Sequence, residues 1–177
     1  SNITFRNMEI DGQITDSAGT PSHIVYAFNF STAAATQNFI TVDTCEVHNV
    51  TYGFLKTNAA VSNQNNITVN NCYFHDNYNA DITLNTPNAV CTNISYTNNR
   101  CDLNRGYLIG AVAQALSTAG PVTNLQITGN TVGGVYLFNA IHLEEGPDNF
   151  VISNNIIKTQ GWGITLQSNN ISGVNRW

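Results

Sequence analysis

The chain has 177 residues, a formal net charge of −5, and only 10% charged residues. That length bounds a single domain with a sizeable core. The absence of a basic surplus speaks against nucleic acid as a partner, and no apolar run reaches the 18 residues of a membrane-spanning helix. The polar role passes to 28 asparagines.

A nine-residue unit recurs along the chain. It reads NITFRNMEI at 2–10, FITVDTCEV at 39–47, NITVNNCYF at 66–74, NISYTNNRC at 93–101, NLQITGNTV at 124–132 and NFVISNNII at 149–157. The apolar starts Ile3, Ile40, Ile67, Ile94, Leu125 and Phe150 are 37, 27, 27, 31 and 25 residues apart. A period in this range marks a repeat architecture. Within each unit, apolar and polar residues alternate, meet a small or asparagine-rich corner, and alternate again. Alternation puts Ile67 and Val69 on one face of a strand, and Cys72 and Phe74 on one face of the next. No unit keeps helical spacing.

The first pair of strands, 2–10, is followed by a long excursion at 11–37. Its segment His23-Ile24-Val25-Tyr26-Ala27-Phe28 is expected to supply a third strand. The second coil, 39–56, ends in the strand Gly53-Phe54-Leu55-Lys56, and the third, 67–85, contains Asp81-Ile82-Thr83-Leu84. Coil four is expected to run from Ile94 to about Ile109, with residues 110–116 as a short helix or a loop packed on a neighbour. Coil five, 125–145, contains Ala140-Ile141-His142-Leu143, and coil six, 150–167, contains Gly163-Ile164-Thr165-Leu166. Two strands, a corner, a third strand and a return loop make one coil, and about six coils stack into an all-β parallel solenoid. The chain reads as one domain, 1–177, cut from a longer polypeptide.

Asn99, Asn130 and Asn155 share one corner position with Met8, Cys45 and Cys72. Stacked amides there can satisfy one another and the turn backbone, so a buried asparagine ladder is expected. The four cysteines, Cys45, Cys72, Cys91 and Cys101, are read as small core residues, not as a disulfide framework. Sequons at Asn2, Asn66 and Asn93 follow from the repeat pattern and carry no case for glycosylation.

The unit N-[IL]-x-[IVY]-x-N-N-x-[IVF] resembles that of the right-handed, single-stranded parallel β-helix of the pectate-lyase-like superfamily, most of all bacteriophage tailspikes and depolymerases. The resemblance covers almost the whole chain. It implies a homotrimer in a virion or extracellular setting that binds and cleaves a bacterial surface polysaccharide; no clustered Asp set and no metal-spaced His/Cys set stands out, so no cofactor and no metal are expected. Two other readings remain: a non-catalytic β-helical adhesin or stem, and a secreted pectinase-like lyase or hydrolase. The polygalacturonase NTD, DD and GHG set, the pectate-lyase RxPxxR motif and the alginate-epimerase DPHD motif are missing.

In a packed solenoid, function falls on outward residues and loops. His142, Thr83 and Thr165 are expected in one outward column of the third strand, with Glu144, Asn85 and Gln167 in the next. His142 and Glu144 point the same way. With Glu145 they form the candidate catalytic set, because glycoside hydrolysis uses paired carboxylates. Trp162, Tyr136, Thr165, Gln167 and Arg105 are the candidate sugar contacts. Trp162 stands out because Gly161 and Gly163 leave its face open. His48 and His75 are read as turn residues.

Overall fold

A computed structural model describes residues 2–15, 21–23, 25–30, 38–57, 64–85, 91–102, 114–119, 122–134, 139–144 and 148–167. The strands come in successive groups of three. The first group is β1 (Ile3–Arg6), β2 (Glu9–Asp11) and β5 (Tyr26–Asn29), interrupted by an antiparallel pair, β3 (Gln13–Thr15) and β4 (Pro21–His23). Then follow β6 (Asn38–Asp43), β7 (Glu46–His48) and β8 (Tyr52–Thr57), and next β9 (Gln64–Asn70), β10 (Tyr73–His75) and β11 (Ala80–Asn85). The remaining groups are β12 (Cys91–Thr97), β13 (Arg100–Asp102) and β14 (Gln114–Ala119); β15 (Val122–Thr128), β16 (Thr131–Gly134) and β17 (Asn139–Glu144); and β18 (Asp148–Ser153), β19 (Ile156–Thr159) and β20 (Trp162–Gln167).

Like strands stack on like. The first sheet is β1-β6-β9-β12-β15-β18, the second β2-β7-β10-β13-β16-β19, and the third β5-β8-β11-β14-β17-β20. Every pairing within these three sheets is parallel, and the register aligns Ile3, Ile40, Ile67, Ile94, Leu125 and Phe150 in one column. The chain is thus an all-β parallel solenoid. Among the described residues there is no helix, and so none long and apolar enough to cross a membrane.

The core is the inward half of each alternation. Ile40, Ile67, Ile94 and Leu125 are fully buried from the first sheet, Val47, Phe74, Cys101 and Val132 from the second, and Phe54, Ile82, Leu84, Ile141 and Leu143 from the third. Each large side chain removed from water contributes about 1.5–3 kcal/mol. Stacking is what makes this burial possible, because one group of three short strands encloses nothing by itself.

The corner between the first and second sheets repeats one backbone shape. Asn7, Thr44, Asn71, Asn98, Gly129 and Asn154 all have left-handed φ, between 52° and 71°. Asparagine and glycine tolerate this region best. Each corner N–H from Asn7 to Gly129 donates to a carbonyl of the next level, as Asn71 N does to Thr97 O at 3.1 Å and Asn98 N to Thr128 O at 3.0 Å. At Gly129 a Cβ would come 2.5 Å from Asn98 Oδ1, so glycine leaves room for that side chain.

Inside this corner runs the expected amide ladder. Asn130 Oδ1 accepts from Asn99 N at 2.9 Å and from Asn99 Nδ2 at 3.1 Å, while Asn99 Nδ2 also donates to Val69 O at 2.9 Å. Asn155 repeats the arrangement on Asn130, and Asn99 Oδ1 receives Cys72 N at 3.0 Å. All four cysteines are buried, and none is in a disulfide.

Three local expectations are corrected. Residues 23–28 do not form one strand: His23 ends the antiparallel β4, and β5 begins at Tyr26. Gln114, Ala115 and Leu116 belong to a strand, β14, because parallel pairing on β11 and β17 supplies the backbone partners that local sequence does not reveal. His48 and His75 are the last residues of β7 and β10, not turn residues.

Candidate functional site

The third sheet carries the columns read from the sequence. Thr83, Ser117, His142 and Thr165 are in register, as are Asn85, Ala119, Glu144 and Gln167. His142 and Glu144 therefore share a face, and Gln167 Oε1 lies 3.1 Å from His142 Nε2. Thr165 Oγ1 donates to Asn139 Oδ1 at 2.6 Å. Trp162 is 58% exposed. His142, however, is buried, and the Glu144 column offers no second carboxylate. Glu145, Tyr136 and Arg105 lie outside the described residues. Asp81 is fully buried, away from any outward column.

The second sheet presents a denser set of chemical groups. Its strands are three or four residues long, so the first and third residues of each point outward while the middle one enters the core. The first column reads Glu9, Glu46, Tyr73 and Arg100, and the third Asp11, His48, His75 and Asp102. The rings of His48 and His75 stack with centroids 4.7 Å apart and planes within 7°. Glu46 Oε1 is 3.0 Å from His75 Nε2, and Glu9 Oε1 is 3.3 Å from His48 Nε2. Behind the rings, Asp76 Oδ2 is 2.9 Å from His75 Nδ1, and Asp11 Oδ1 is 3.6 Å from His48 Nδ1. Tyr73 stacks on His75 and lies under the Arg100 guanidinium, which is 4.6 Å from its ring centre.

Partial burial works against the imidazolium of His75, but the Asp76 and Glu46 carboxylates outweigh it and hold its pKa above the ordinary histidine value. Burial pushes the Tyr73 hydroxyl up as well, against the pull of Arg100. Beside these columns runs an open groove of about 330 Å³, at the lower end of ligand-site volumes. It is lined by the corner residues Asn7, Thr44 and Asn71, by Glu9, Glu46 and Tyr73 of the second sheet, and by Met8 and Cys45.

Sequence reasoning reached the third-sheet columns and missed these. The signal is present: Glu9-Ile10-Asp11, Glu46-Val47-His48, Tyr73-Phe74-His75 and Arg100-Cys101-Asp102 each place two chemical groups around one core residue at the same repeat position. It shows only when the aligned unit is carried one residue further.

No family model, curated protein or solved structure matches the chain. The resemblance to pectate-lyase-like proteins and tailspikes therefore rests on the repeat unit, and the parallel solenoid is what the fold supports.

Proposed function

We propose that the chain binds a polysaccharide of the kind that coats bacterial cells, laid along the groove of the second sheet, and hydrolyses it with Glu9 and Glu46. One observation carries this reading. Glu9 and Glu46 are side by side in register on adjacent parallel strands, and both line the groove. Strand spacing puts their Cα atoms about 4.8 Å apart, which lets the two flexible side chains reach the roughly 5–5.5 Å carboxyl separation of retaining glycosidases. Glu46, with Oε1 held 3.0 Å from His75 Nε2, acts as the nucleophile on the anomeric carbon. Glu9 protonates the leaving oxygen, then takes a proton from the water that releases the glycosyl group from Glu46.

The homotrimer and the virion or extracellular setting that the tailspike resemblance implies belong to the same reading. Reducing-end release from a panel of bacterial capsular polysaccharides tests the chemistry. Glu9→Gln and Glu46→Gln should each slow cleavage by about 10²–10⁴-fold while the polysaccharide still binds. If Glu144→Gln abolishes cleavage and these two do not, the site lies on the third sheet. If no polysaccharide is cleaved, the adhesin or stem reading replaces this one.

A further inference from the structure

The stacked imidazoles exceed what the groove needs. One donor atom each from Glu46, His48 and His75 lies within 4.8 Å of the others, on one face of β7 and β10. The two imidazoles are shielded, with side chains 13% and 17% exposed, while Glu46 at 47% stands open to solvent. The far nitrogen of each ring faces a carboxylate, Asp76 for His75 and Asp11 for His48. At His75, where Asp76 is within hydrogen-bond distance, this backing carboxylate is the partner that orients a metal-bound histidine and fixes the tautomer whose other nitrogen can ligate. Asn49 Nδ2 donates to Asp11 Oδ1 at 2.9 Å and so ties that carboxylate beside the His48 ring.

We propose that Glu46, His48 and His75 form a binding site for a divalent transition-metal ion of the zinc class, with water in the remaining position. Two imidazoles and one carboxylate suit zinc, nickel or copper better than calcium or magnesium, which prefer all-oxygen sets. Tetrahedral zinc needs donor atoms about 3.4 Å apart, so the three, within 4.8 Å of one another, must close by about 1.4 Å at most. Side-chain rotation supplies that, since all three sit at outward strand positions and Glu46 is 47% exposed. Glu9, Asp11 and Asp76 surround the site with further negative charge. This inference does not depend on the polysaccharide. Where both hold, a bound ion takes Glu46 as a ligand and withholds it as a nucleophile, so the metal acts as an inhibitor.

The test is a calorimetric titration of zinc chloride into the full, chelator-stripped chain, without any glycan. Saturable binding of one ion per chain is expected, at least tenfold weaker in His48→Asn, in His75→Asn and in Glu46→Gln, and unchanged in His142→Asn. Melting of each variant without metal checks that it is folded. Cobalt(II) substitution should give the intense visible bands of a four-coordinate ion, lost in His75→Asn. No saturable heat, or binding undiminished in folded His48→Asn and His75→Asn, overturns the proposal.

Discussion

Asp81 has no exposed surface, one oxygen receives Asn77 Nδ2 at 2.8 Å, and Oδ2 has no hydrogen-bond partner among the described residues. Burial raises its pKa from 3.8 to about 7, against the Asn77 bond. A raised folded pKa contributes stability that is full below the unfolded value and lost as pH rises through the folded one. Stability should therefore fall between about pH 4 and pH 7 and level off above. At about 1.36 kcal/mol per unit, the loss is on the order of 4 kcal/mol. Asp81→Asn should flatten this window and gain most at pH 8, read from urea midpoints across pH; equal slopes in both proteins would refute the assignment. Phe39 is a second misfit. It is 52% exposed and has φ 61°, where Asn66, Asn93, Asn124 and Asn149 occupy the same column with the same backbone. A bulky residue there costs about 1–2 kcal/mol. Phe39→Asn should recover about 1 kcal/mol and let its amide join the ladder that Asn93 makes to Asn66 at 3.0 Å. The check is a higher urea midpoint with an unchanged m-value.

The corner between first and second strands is the element on which the others depend. Asn130 satisfies Asn99 N, Asn99 Nδ2 and Tyr96 O in the interior. Asn130→Ala leaves these buried groups unpaired and should cost about 2–5 kcal/mol by chemical denaturation. Cys72 occupies the same position one level before Asn99, and its thiol points at Val42 O from 3.7 Å, where Asn99 Nδ2 reaches the equivalent Val69 O at 2.9 Å. Cys72→Asn should extend the ladder and stabilise by about 1 kcal/mol, with destabilisation as the contrary result. These corners are legible in the sequence because a buried amide must be paired, and an asparagine repeated at 99, 130 and 155 can pair with its copies and the turn backbone beside them. The strand β14 is not legible. Its partners come from β11 and β17, and its segment resembles any small apolar run. The site is half legible for a related reason. His142 and Glu144 are visible as neighbours on one strand, whereas Glu9 with Glu46, and His48 with His75, meet only through register across 37 and 27 residues.

At the scale of the molecule, the three sheets make a rod in which each level touches chiefly the levels on either side. The outward face of the second sheet changes along this axis, from Glu9 and Asp11, through the histidines, to Arg100 with Asp102 and then to Ile156 and Lys158. A ligand on that face meets a different chemical partner at each level, so position along the rod sets what is recognised. Unequal spacings between units do not disturb this order, because the extra residues lie outside the paired strands. The same construction gives the buried cysteines a use unrelated to packing. Burial pushes the Cys72 thiol up to about 12 and holds Cys101 well above its ordinary value. Reagents that attack thiolates find none at Cys72 or Cys101 while a level is closed. Cys45, Cys72, Cys91 and Cys101 sit in three consecutive levels. The order in which they are labelled over time thus records where along the rod the chain opens first, a native stopwatch for local unfolding.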